Sequence, residues 1–159
     1  MDAEARFWEL CDEVNRLDQA NWEASRLDVE VASDCRSYER PMVEIIELVE
    51  ANPEHREAFV RCFCDLVQWK RLAPMSLVAF CMRRLRFPEI PELIRHDAAS
   101  HGRMSAYYIN HMAHWSSINH AYLDEVWEKA GMWAYYEHER LAAGGKPQDA
   151  APGTSSADD

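Results

Sequence analysis

Residues 42–50 read Met-Val-Glu-Ile-Ile-Glu-Leu-Val-Glu. Met42, Ile45, Ile46 and Val49 recur at i, i+3, i+4 and i+7, and Glu44, Glu47 and Glu50 fall on the opposite face. At 3.6 residues per turn this makes an amphipathic helix, with one apolar stripe to bury and one charged face for water. The same rhythm extends in both directions from there. It is carried by Phe7, Leu10, Cys11, Val14 and Leu17; by Phe59, Cys62, Phe63 and Leu66; by Val78, Cys81, Met82 and Leu85; and by Ile90, Leu93 and Ile94. No period-two run of β-branched residues lasts for the length of a strand.

A further helix is expected from about Trp22 to Tyr38, on a stripe of Ala24, Leu27, Val31 and Cys35. Pro41, Pro53, Pro74 and Pro88 each stand where a new stripe begins, in the first turn, where a missing N–H costs nothing. Asn52 suits the N-cap ahead of Pro53, and Glu54 suits the first turn. The expected fold class is all-α, a compact multi-helix bundle. Its rhythm resembles the stacked helix pairs of HEAT repeats, although no strict internal repeat is present.

A chain of 159 residues with 48% hydrophobic content has the size and core of one domain. Residues 144–159 contain no aromatic or large aliphatic side chain and hold three of the five glycines. That composition cannot offset ordering entropy, so a helical domain over 1–143 and a disordered tail over 144–159 are expected. With only Gly102 and Gly131 left for the fold, glycine-clustered phosphate loops and nucleophile elbows are disfavoured.

The net charge of −11 is unevenly spread. Residues 1–54 carry 15 acids and 5 bases, residues 55–103 carry 5 acids and 9 bases, and residues 104–159 carry 8 acids and 3 bases. Such a surface repels phosphate backbones and anionic lipid and attracts basic partners, so nucleic acid as the primary partner and a membrane are both disfavoured. The N-terminus has neither the basic segment nor the apolar run of a secretory signal, and no stretch approaches a membrane span. Cys11, Cys35, Cys62, Cys64 and Cys81 are odd in number and lack metal-knuckle spacing, which suits buried thiols in a reducing compartment. The cytoplasm is the expected location.

Between Arg103 and Asp124 no formally charged side chain occurs. Met104, Tyr107, Tyr108, Met112, Trp115 and Tyr122 share that stretch with Asn110, His111, His114, Asn119 and His120. Such a segment suits a core helix or a recognition surface, since interface cores lose charge and gain Tyr, Trp and Met. Tyr108, His111 and Trp115 follow the apolar rhythm and are expected to face inward. Asn110 and His114 are expected on the polar side.

His111 and His114 lie three apart on one helical face, and with His120 they form a possible divalent-metal set. The Glu that marks helical zinc hydrolases is missing beside them. The Arg83, Arg84 and Arg86 cluster suits either a phosphate or a helix C-terminus. No cofactor and no catalytic residue is expected. The resulting expectation is a non-enzymatic acidic interaction protein that binds a basic protein partner, with Glu44, Glu47, Glu50, Asn110 and His114 as partner contacts. In general character it is similar to small acidic immunity proteins that neutralise a bacterial toxin. The alternative is a helical metal-binding enzyme or sensor built on His111, His114 and a further histidine.

Overall fold

The computed structural model describes residues 2–26, 36–101 and 105–122. These form six α-helices and one 3-10 turn, with no strand among the described residues. The helices are α1 (Ala3–Arg26), α2 (Arg36–Ala51), α3 (Arg56–Val67), α4 (Met75–Leu85), α5 (Glu89–Ser100) and α6 (Ala106–His120), and the 3-10 turn is Pro53–His55. The expected multi-helix bundle is what these elements build. The tail boundary at 143 lies outside the described residues, as does Cys35. No described helix is long and apolar enough to cross a membrane.

α1 and α2 pack along each other, α2 continues onto α4, α3 lies against α5, and α6 lies against α4 and α5. α4 is the central element. Its residues Leu77, Val78, Ala79, Phe80, Cys81 and Met82 are all buried, so every side of the helix is covered by a neighbour. Around it the other helices bury the stripes read from the sequence: Phe7, Leu10, Cys11 and Val14; Met42, Ile45, Ile46 and Val49; Phe59, Cys62, Phe63 and Leu66. Phe7 meets Phe63 edge-on at 5.0 Å, and Phe63 meets Phe87 at 6.0 Å, so the aromatic core joins α1, α3 and the α4–α5 junction. Full burial of each such side chain contributes about 1.5–3 kcal/mol.

Three local expectations are corrected. Nothing between Ala3 and Arg26 stops a helix, so Trp22–Arg26 extends α1 and does not begin a separate element. Leu27 and Val31 fall outside the described residues. Pro41 lies inside α2, which already begins at Arg36, and costs it one hydrogen bond, the one the Ser37 carbonyl would have accepted. Pro53, Pro74 and Pro88 do stand at element starts. Asn52 precedes Pro53, but its amide donates back to the Leu48 carbonyl at 2.7 Å and caps no N–H of the following turn.

Candidate functional site

α6 is built without a single charged side chain. Ser105 caps it, its Oγ accepting from the Tyr108 N–H at 3.1 Å. The helix buries His111, His114, Trp115 and Ile118. His111 and Trp115 therefore face inward as expected, and Tyr108 is half-buried. His114 does not follow expectation: it is 1% exposed, where the polar side was anticipated. The reason is Ile118, which stands only about 40° around the helix from His114 and draws the centre of the buried face toward it. Asn110 is exposed, as are Ile109 at 51% and Met112 at 53%.

On the buried side four rings form a continuous pile. His101 stacks on Tyr107 at 4.0 Å, Tyr107 on His111 at 4.1 Å, and His111 meets Trp69 at 4.2 Å, the rings inclined by 22°, 25° and 32°. The pile links the end of α3, the end of α5 and the first turns of α6. Each imidazole is fixed by a carbonyl: His101 Nδ1 donates to Asp97 O at 2.9 Å and His111 Nδ1 to Tyr107 O at 2.8 Å. A carbonyl only accepts, so both rings carry their proton on Nδ1. Beside the pile, the buried carboxylate of Asp97 accepts from Gln68 Nε2 at 3.1 Å and from the Tyr107 hydroxyl at 3.4 Å. Burial, followed by the charge and hydrogen bond of Asp97, holds the Tyr107 phenol above its ordinary range.

On the other flank of α6 a groove of about 400 Å³ opens against α5. Ile94 and Ala98 line it from α5, and Tyr108, Met112, Trp115 and Asn119 from α6. No protein-family model, curated protein or solved structure matches this chain. The chemistry of these residues therefore has to be read from their own geometry. His111 Nε2 is sealed from solvent and meets no hydrogen-bond partner, so it is badly placed to exchange a proton with a substrate. Burial pushes the thiols up as well, Cys62 to about 12 and Cys11 and Cys81 also well above the ordinary thiol range, which leaves them unfit as nucleophiles at neutral pH.

The other residues singled out from the sequence are not drawn together. Glu44 is shared by Arg6 at 3.3 Å and Arg40 at 3.6 Å, and Glu50 pairs with Arg84 at 2.7 Å. Of Glu44, Glu47 and Glu50, the last two are exposed, and Glu47 is the one with no arginine beside it in these pairs. Arg84, from the arginine cluster, serves this bridge between α4 and α2. α2 and α6 both pack on α4. His120 is exposed, and its Nδ1 is turned back onto the Ser116 carbonyl at 2.7 Å. Among the described residues no group of three or more His, Cys, Asp or Glu side chains is arranged to hold a metal. Sequence reasoning passed over Trp69, Gln68 and Asp97. Gln68 and Trp69 lie in the turn after α3 and Asp97 on α5, and no spacing within the chain signals that they meet.

Proposed function

We propose that the protein is a non-enzymatic interaction module whose docking face is the outer side of α6 and its groove against α5. The observation that carries this reading is that a charge-free helix exposes Ile109 and Met112 by half, beside a groove lined by Tyr108 and Trp115. Exposed apolar side chains without charge, flanked by aromatic residues, are what an interface core requires. The partner is a basic protein, because a chain of charge −11 accelerates encounter with positive surfaces. Glu44 and Glu50 are committed to arginines of this chain, so the steering charge rests on Glu47 and on the exposed Asp12 and Glu13 of α1. Neutralisation of a basic toxin domain in the cytoplasm is the role we assign to that binding.

The test uses the full chain as bait in extracts of the source cells, alongside Met112→Asp. Met112 is exposed, so the variant should fold as the wild type does. A basic protein retained in equimolar amount by the wild type and lost with Met112→Asp is the expected result. Retention unaffected by the aspartate, or retention of an acidic protein, removes the proposal.

A further inference from the structure

α3 ends in a turn of the Schellman type. The Lys70 N–H reaches the Asp65 carbonyl at 2.9 Å and the Trp69 N–H reaches that of Leu66 at 3.1 Å, which puts Trp69 where the chain turns left-handed. Its φ is 53°. Glycine is usual at this position because it has no Cβ to collide with the neighbouring carbonyl. A bulky aromatic persists there only when its surroundings hold it. The surroundings of Trp69 are specific: the His111 ring at 4.2 Å and the His114 ring at 5.8 Å, both from α6. The residues on either side act in other directions. Gln68 donates to Asp97 of α5 at 3.1 Å, and Lys70 Nζ meets Asp65 of α3 itself at 3.0 Å.

We infer that Trp69 is a latch: its left-handed backbone and the docked position of α6 sustain each other, so that relaxing one and releasing the other are a single local event. The ring contacts add to the two hydrogen bonds of the turn in offsetting the steric cost while α6 is in place, and once α6 leaves only the turn's own bonds hold Trp69 in that region. α6 is suited to early release. On its buried side His111 Nε2 and Trp115 Nε1 have no hydrogen-bond partner, and water would satisfy both on opening. Release also dismantles the groove against α5, so the latch governs the surface proposed above for a partner, although the latch itself stands without that proposal.

Native-state hydrogen exchange of the full chain, followed against denaturant, tests this with wild type, Trp69→Gly and Trp69→Phe. In the wild type, the α6 amides should exchange through an opening with a weaker denaturant dependence than that of the α1 and α2 amides. Glycine removes the strain together with the ring, and that opening should become roughly tenfold more frequent, while Trp69→Phe stays closer to wild type. If the strained turn were the whole story, Trp69→Gly would protect α6 as well as wild type does or better, which overturns the latch. Exchange of α6 only in the same global event as α1 and α2 overturns it too, because no separate release would then exist.

Discussion

α2 and α6 are close in length, 16 and 15 residues, and both pack on α4, yet they sort their side chains differently. α2 separates its stripe of Met42, Ile45, Ile46 and Val49 from Glu44, Glu47 and Glu50. The stripe is buried, as is Glu39 in the first turn, and these three glutamates look outward to arginines and water. α6 makes no such division. Apolar side chains lie inside at Trp115 and Ile118 and outside at Ile109 and Met112, while the two imidazoles of His111 and His114 go to the interior. Charge contrast orients a helix before any partner is known, because burying a glutamate costs far more than burying a histidine or an asparagine. Where that contrast is missing, the neighbours choose the face. In α6 they chose one that leaves two buried polar atoms, on His111 and Trp115, without partners, at a cost of about 1–3 kcal/mol each.

If α6 is nevertheless as much a part of the core as α2, truncating its largest buried ring should cost at least as much as truncating the α2 stripe. Trp115→Ala is expected to lower unfolding free energy by about 3–5 kcal/mol and Ile46→Ala by about 2–5 kcal/mol. Urea melts of both variants measure this. A loss below 1 kcal/mol for Trp115→Ala alone would show α6 to be an appendage on a five-helix core.

His114→Ala sharpens the comparison at the residue where sequence and structure part. A buried ring against Trp69 should cost about 1–3 kcal/mol on removal, against the ±0.5 kcal/mol of an exposed site. A melt indistinguishable from wild type would restore His114 to the outer face.

The smallest effect is expected where charge sits on the surface between α3 and α5. Arg56 meets Glu89 at 2.7 Å, and its hydrogen bond holds the Glu89 carboxyl below the usual glutamate range. A depressed folded-state value means that the pair stabilises at neutral pH and that this contribution fades as pH falls through and below about 4.3. Both side chains are half-exposed and solvent screens them, so the change should be slight. Arg56→Gln should remove that part of the acid dependence in thermal melts taken between neutral pH and pH 3. An unchanged pH profile would deny the pair any role in folding.

The helical class, the central place of the stripes and the burial of Cys11, Cys62 and Cys81 were all legible in the order of residues, because apolar periodicity against charge is a local property of the chain. Pro41 was legible as a landmark and misread as a start. A proline costs the turn ahead of it one hydrogen bond and a clash of its ring with the preceding carbonyl, which the packing of α2 on α1 outweighs. Glu44 and Glu50 were seen as charge, but their engagement by Arg6 and Arg84 depends on partners 38 and 34 residues away. Least legible was the ring pile of Trp69, His101, Tyr107 and His111, together with Asp97 and Gln68. Its members come from three helix ends and meet only after α5 and α6 have folded back over α3. Which residues must leave water is written along the chain, since transfer from water concerns each side chain separately. Which of them touch, and so which backbone is strained and which face of α6 stays open, depends on distances between elements that no local pattern encodes.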